Sequence, residues 1–390
     1  MSIESEPTEE VPFQEPASCQ SLLDEYNERQ AQNEPLGGEL FSAEMTDRRF
    51  KIETITAPFA DSRRYNRTTS QTEYPVWYRE RYTLSRTKER TRDYPPGREI
   101  LAGGITIYNP APLPSGLVAA RVEPIDSEIS QTAFFDVDRE QNLLTQIPDA
   151  PILNLQDPFS MEVNGQKFIG GVEICEGQGG VLSYRTVIYR YSNGIEELRE
   201  QGGAIIAPLV EGPPGMKGVR PVELADGRVG VFTRPQGIVG GRGKIGYTEV
   251  GSMEKISEAV LEQAEIIPGL FRDDEWGGVN EAKLIEGSKI SVLGHIARTV
   301  ENPHGPEALK EYYPITFIFD PDTRTFSNLR IIATADCLPA VQPKVPYQNK
   351  ILYPGGIVEN PDGSATLYTG ASDVASGTIL LNENPFANRV

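Results

Sequence analysis

From residue 101 onward, short apolar or alternating runs recur between turn signals. KFIGGVEI (167–174), VGVFTRP (229–235), KISVLGHIA (289–297), ITFIFD (315–320) and ATLYTGA (365–371) have the length, alternation and β-branched or aromatic content of strands. VNGQ (163–166), ADGR (225–228), EGSK (286–289), DPDT (320–323) and NPDG (360–363) supply the turns. Many short strands with regular turns predict a sandwich, barrel or propeller. The strands fall in five groups, roughly 105–150, 151–203, 204–267, 275–334 and 345–384, a spacing that suits five propeller blades. An apolar segment at 49–59, RFKIETITAPF, would then close the ring. Only SMEKISEAVLEQAEII (252–267) reads as an amphipathic helix of the main domain, with Ser252 as its N-cap.

Composition fits short elements: the chain holds 31 prolines and 37 glycines in 390 residues. No segment approaches the roughly 18 apolar residues of a membrane span, and the acidic N-terminus lacks the apolar stretch of a signal peptide. Three cysteines, Cys19, Cys175 and Cys337, are scattered, with neither metal-type spacing nor an even count for a disulfide framework. The expectation is a reduced, cytoplasmic protein without membrane association or metal. A net charge of -19 disfavours nucleic acid as a partner.

Two regions stand apart from the strand pattern. Residues 1–40 hold ten Asp/Glu and one Arg, and read as an acidic, partly disordered extension with a short helix over 19–33; residues 41–390 form the main domain. Within it, 61–100 reads as an insertion. Its piece 78–92 carries six basic side chains interleaved with Tyr78 and Tyr82. That is a solvated loop or hairpin, or a lid or subunit contact near an anionic ligand, and a homo-oligomer stays open.

Charge reverses locally at 212–247. This Gly-rich run has Lys217, Arg220, Arg228, Arg234, Arg242 and Lys244 against only Glu223 and Asp226. Glycine lets backbone N–H groups approach an oxyanion, and arginine offers a bidentate fork, so the run suits phosphate; Arg228, in the ADGR turn, reads as surface charge. Glu173, Glu281, Arg121, Glu123 and Asp126 interrupt apolar runs, where a charge is costly unless paired, so they are paired core charges or pocket lining. His295 interrupts the strand-like SVLGHIA, whereas His304 sits in a Pro/Gly loop. No nucleophile elbow, phosphate-binding P-loop or dinucleotide fingerprint is present.

These motifs together resemble a family known as domain of unknown function 1861. The strings are TAPF (56–59), RVEPIDSE (121–128), QDPF (156–159), GPPGMKGVR (212–220), FTRPQG (232–237), GGRGKIG (240–246), WGGVNE (276–281), GHIA (294–297) and LYTGASD (367–373). That family is similar to glycoside hydrolase family 130 and glycosyltransferase family 108, β-mannoside phosphorylases and β-1,2-mannosyltransferases. The resemblance implies an all-β, five-bladed β-propeller and an inverting phosphorolysis of β-1,2-linked mannosides to mannose 1-phosphate, with inorganic phosphate as co-substrate and no cofactor. It implies Asp157 as the acid, its proton passing through a mannose hydroxyl. Arg185, Lys217, Arg220, Arg234 and His295 would hold phosphate, with Arg242 and Lys244 in reserve. Arg121, Glu123, Asp126, Asn280, Glu281 and Asp373 would shape the mannose subsite.

Other functions stay open at this point. One is a β-1,2-mannosyltransferase using a nucleotide sugar, and another a glycoside hydrolase, although water would not need the cations. A non-catalytic sugar-binding propeller is the reading from a different class.

Overall fold

The computed structural model describes residues 16–33, 36–44, 65–66, 71–72, 105–124, 130–176, 182–201, 203–303, 308–348 and 350–387. The expected closing strand at 49–59, the basic piece 78–92, Asp126 and His304 lie outside them. Strands dominate, as the alternating runs predict; β3 (Tyr65–Asn66) and β4 (Gln71–Thr72) pair only with each other, and the remaining strands fall into five groups. The first holds β5 (Ile105–Pro112), β6 (Val118–Pro124), β7 (Gln131–Asp138) and β8 (Leu143–Gln146); β2 (Ser42–Glu44) adds to its outer edge in parallel. The second comprises β9 (Leu155–Val163), β10 (Gln166–Glu176), β11 (Leu182–Tyr191) and β12 (Val210–Glu211). The third comprises β13 (Arg220–Glu223), β14 (Val229–Thr233), β15 (Gly246–Val250) and β16 (Glu265–Ile266). The fourth runs through β17 (Trp276–Leu284), β18 (Ile290–Val300), β19 (Leu309–Asp320) and β20 (Thr325–Ile331). The fifth has β21 (Lys350–Glu359), β22 (Ala365–Ala371) and β23 (Ala375–Leu381), completed by β1 (Gly38–Leu40) antiparallel to β23.

Consecutive strands within each group pair antiparallel. The fourth and fifth groups merge into one eight-stranded sheet because β19 and β21 pair briefly in parallel at Glu311–Lys350 and Tyr312–Ile351. The first strands meet in cyclic order: β5 packs on β9, β9 on β13, β13 on β17, β17 on β21, and β21 on β5.

A separate apolar cluster fills each junction between neighbouring groups. Phe134, Leu155 and Ile169 join the first to the second, and Phe159, Ile188 and Val231 the second to the third. Phe232, Tyr247 and Phe319 join the third to the fourth, their ring centroids 4.7 to 5.3 Å apart. Leu293, Leu352 and Leu367 link the fourth to the fifth, and Ile107, Val122 and Tyr368 link the fifth back to the first. Each such side chain stabilises the fold by about 1.5–3 kcal/mol on burial. Stability is thus spread around the ring and leaves its centre available for polar groups.

The helix expected over 19–33 forms as α1 (Cys19–Gln32), capped by Ser18, whose Oγ accepts from the Ser21 N–H at 3.0 Å. Cys19, Leu22 and Tyr26 form its buried face on the third and fourth groups. Burial pushes the Cys19 thiol up to about 12, so it is a packing group and not a reactive one. The helix expected over 252–267 is a correction. It breaks into a 3-10 turn, Met253–Lys255, a short helix, Glu258–Glu262, and strand β16. Buried Met253, Ile256, Leu261, Ala264 and Ile267 show the reason. Ile256 and Leu261 are five residues apart, off a single helical stripe, Ser257 between them is extended, and β15 claims 265–266 as its partner. Among the described residues no helix is long and apolar enough to cross a membrane.

Closeness of the first strands can be tested. A Cβ at Gly355 would stand 1.7 Å from the Pro110 carbonyl oxygen, backbone that cannot yield, whereas one at Gly251 would meet nothing within 4 Å. Gly355→Ala is expected to destabilise by about 3 kcal/mol, and Gly251→Ala to change stability by less than about 0.5 kcal/mol. Urea unfolding midpoints of the two variants check this.

Candidate functional site

The first strands are irregular at one depth. Against their neighbours, β5 bulges at Asn109-Pro110, β9 at Asp157-Pro158, β17 at Asn280 and β21 at Gly355. Proline cannot donate to a ladder, and a bulge accommodates it while re-aiming the adjacent side chain. Asn109 (φ 51) and Asp157 (φ 47) adopt the left-handed backbone there, which short polar side chains tolerate. The bulges turn Asn109, Asp157 and Asn280 into the centre of the ring, and Asn109 Nδ2 donates to Asp157 Oδ1 at 2.8 Å.

A small cavity opens at this depth, lined by Asp157, Val172, Lys217, Gly218, Arg220, Arg234, Gly278, Val279, His295 and Tyr353. Its volume of about 30 Å³ compares with the 10–15 Å³ that one water needs by the same measure. Five of the residues expected from sequence therefore meet here: Asp157, Lys217, Arg220, Arg234 and His295.

Three cations face one carboxylate across this space, and each is held differently. Arg220 lies over the Phe159 ring at 3.5 Å and donates to the carbonyls of Asn280 at 2.9 Å and Val219 at 3.0 Å. Burial pushes its pKa down to about 10, which leaves it cationic at neutral pH. Lys217 stands 5.7 Å from the Tyr184 ring centroid and makes no hydrogen bond among the described residues; burial, chiefly, lowers its pKa, with Asp157 opposing. Arg234 is 7% exposed, and its Nε is buried without a hydrogen-bond partner among the described residues. Gly218, Gly243 and Gly278 press against its side chain, at positions where a Cβ would stand 2.5 to 3.3 Å away. A desolvated, unpaired guanidinium is costly in any fold, and so points to an anion.

Asp157 is the counter-charge. Burial alone would raise its pKa, but the charges of Arg121 and Lys217, with hydrogen bonds from Asn109 and Arg121, hold it down to about 2. Arg121 Nη1 reaches Asp157 Oδ1 at 3.1 Å, while its Nε and Nη2 grip Glu123 Oε2 at 3.0 and 2.7 Å. Glu123 is fully buried and also takes Tyr108 Oη and Lys344 Nζ on Oε1, both at 2.5 Å. Arg121 and Glu123, expected at a mannose subsite, therefore form a clamp behind Asp157 instead of a free lining.

His295 has a defined tautomer. Asn280 Nδ2 donates to the Pro354 carbonyl at 2.8 Å, which turns Asn280 Oδ1 toward His295 Nδ1 at 2.7 Å. The Nδ1 position must carry the hydrogen, so Nε2 keeps a lone pair. Burial, reinforced by Arg234, Lys217 and Arg220, holds the imidazole well below its ordinary pKa and therefore neutral.

Other expected site residues lie elsewhere. Arg185 is cross-strand from Glu173 and pairs with it at 2.8 Å and with Glu211 at 2.7 Å, outside the cavity lining. Glu281 accepts from the Ile357 N–H at 2.8 Å and pairs with Lys283 at 2.9 Å. Asp373 accepts from Gln348 Nε2 at 2.8 Å in a turn. Arg242 stacks on Trp276 at 3.7 Å, and Lys244 caps the carbonyls of Phe271, Arg272 and Glu275. Arg228 pairs with Asp226 and Glu249 on the surface. Tyr353, which the sequence reading missed, lines the cavity, its hydroxyl pushed up to about 12 by burial and by Asp157. A signal existed: Asn109-Pro110, Asp157-Pro158, Arg220-Pro221 and Tyr353-Pro354 place a polar residue before proline on four of the five first strands.

A family model described as "Protein of unknown function (DUF1861)" matches residues 107–388. No curated protein matches the chain. Among solved structures, the chain is similar to a mannose phosphorylase from Leishmania mexicana in complex with phosphate ion, at 26% identity over 79% of this chain and 93% of that one, with a TM-score of 0.64. It is similar to a GDP-Man-dependent mannosyltransferase from Leishmania mexicana, at 26% identity over 73% and 87%, with a TM-score of 0.63. A hypothetical protein from Leishmania major matches at 26% identity over 79% and 96%, with a TM-score of 0.60.

If the unpaired Arg234 guanidinium is retained for an anion, removing it should stabilise the free protein. Arg234→Met is expected to raise stability by about 1 kcal/mol in phosphate-free buffer, and added phosphate is expected to raise the melting temperature of the wild type but not of the variant. Thermal melts with and without phosphate check both parts.

Proposed function

The chain belongs to the DUF1861 family, and from that membership and the charge of its central cavity we propose that it is an inverting β-mannoside phosphorylase. We read its five strand groups as the blades of a β-propeller; the cyclic packing of the first strands and the apolar cluster at every junction support that reading. The observation that carries the function is the partnerless, buried Arg234 beside Lys217, Arg220 and the ionised Asp157. The cations Lys217, Arg220 and Arg234 outnumber the one carboxylate of the cavity, a positive excess that suits a phosphate anion. The similarity to a mannose phosphorylase in complex with phosphate ion supports the same class of ligand.

The reaction follows from these groups. A phosphate oxygen attacks C1 of a β-1,2-linked mannose as the C1–O bond to the leaving sugar breaks, giving α-mannose 1-phosphate. The leaving oxygen needs a proton, supplied by Asp157 through a mannose hydroxyl; phosphate needs no base from the protein. Asp157 is ionised in the free protein, so it must first be loaded. An incoming dianion offsets the field of Lys217 and raises the carboxyl pKa, favouring the protonated form once phosphate is bound. In the synthetic direction the ionised Asp157 takes the proton of the acceptor hydroxyl.

Incubation of β-1,2-mannobiose with phosphate tests this. Mannose 1-phosphate should form, and Asp157→Asn should lower turnover by about 10²–10⁴-fold without weakening phosphate binding, since it removes a nearby negative charge. An equally active variant, or equal sugar release without phosphate, would sink the mechanism. Transfer from GDP-mannose with no reaction of mannose 1-phosphate would assign the chain to the mannosyltransferase alternative.

A further inference from the structure

The cavity wall contains acceptors as well as cations. His295 Nε2 makes no hydrogen bond among the described residues, and its tautomer is set from behind by the chain Pro354 carbonyl, Asn280 amide, His295 Nδ1, at 2.8 and 2.7 Å. The ring lies nearly parallel to Tyr312, with centroids 5.8 Å apart and planes 15° apart, and turning Nδ1 inward would break its hydrogen bond to Asn280. An anion seated among Lys217, Arg220 and Arg234 therefore also meets a fixed lone pair.

Resting on the reading of this cavity as an oxyanion site, we propose that His295 makes the site selective for a protonated oxyanion. Its Nε2 accepts the hydrogen of a P–OH group, so the site takes hydrogen phosphate or arsenate and discriminates against sulfate. Sulfate has the same charge and nearly the same shape but no hydrogen at neutral pH, and would leave the Nε2 lone pair facing an oxygen. A buried acceptor left without a donor is a strong source of discrimination, because neither water nor another proton can replace the missing one. The groups that surround His295 are Arg234, Lys217, Arg220, Asp157 and Tyr353; the three cations oppose its protonation, which keeps it an acceptor. For a phosphorolytic enzyme the consequence is that the nucleophile enters with its one hydrogen directed at His295, leaving unprotonated oxygens free to attack.

Calorimetric titration of phosphate, arsenate and sulfate near neutral pH tests the proposal. Wild type should bind phosphate and arsenate about tenfold or more tighter than sulfate. His295→Phe keeps an aromatic ring but removes the acceptor, and should bring the phosphate-to-sulfate ratio to within about twofold, with sulfate binding retained through the cations. Equal affinity for sulfate and phosphate in wild type, or an unchanged ratio in His295→Phe, overturns the proposal while leaving the anion site intact. Failure of all three anions to bind wild type defeats the anion-site reading itself. A second measurement is independent of the variant's folding. The chain has only two histidines, so ¹⁵N spectra of the wild type resolve the tautomers, and a protonated Nε2 in the phosphate-free protein also overturns the proposal.

Discussion

An unpaired guanidinium held in a nearly closed space is the constraint around which this protein is organised. A Cβ at Gly218, Gly243 or Gly278 would stand 2.5 to 3.3 Å from Arg234, whose Nε has no hydrogen-bond partner among the described residues, while Lys217 and Arg220 add two like charges nearby. Nothing in folding rewards that arrangement, because breaking up a buried ion pair or leaving a charge without one costs several kcal/mol. The cost is carried by apolar clusters that occupy the five junctions between strand groups and leave the middle to polar groups. Stability and the polar centre are thereby separated in space, and the centre can keep an unpaired charge without unfolding the rim.

Precision at the centre comes from the second layer. The bulges at Asn109-Pro110, Asp157-Pro158 and Asn280 aim side chains inward. Behind them, Glu123 receives Tyr108, Lys344 and Arg121, so the guanidinium that meets Asp157 is fixed at both ends. Asn280 plays the corresponding part for His295. Asp157, through Arg121, and His295, through Asn280, are thus each oriented by a buried partner with further bonds of its own, which fixes their geometry.

The strand groups were legible because turn chemistry and alternation are local properties, and each group carries its own. The ring's outer closure was less so: β1 is three residues long, too short to carry a period. The helix over 252–267 failed because a hydrophobic count cannot see that Ser257 is extended and that β15 needs a partner at 265–266. Lys217, Arg220 and Arg234 were legible as a reversal of charge in an acidic chain. Arg185 was not separable from them, since its cross-strand neighbour Glu173 appears only once register is known. Glu123 was legible as a costly charge in an apolar run, but whether it faces substrate or other side chains depends on Lys344, which lies 221 residues away.

We propose that the cations around Asp157 hold phosphate. A crystal structure of the protein soaked with phosphate tests it most directly. Tetrahedral density is expected at the Arg234 guanidinium, within reach of Lys217 and Arg220 and with one oxygen at His295 Nε2. Phosphate bound only elsewhere, or Arg234 turned onto a carboxylate of the protein with the cavity collapsed, would contradict it.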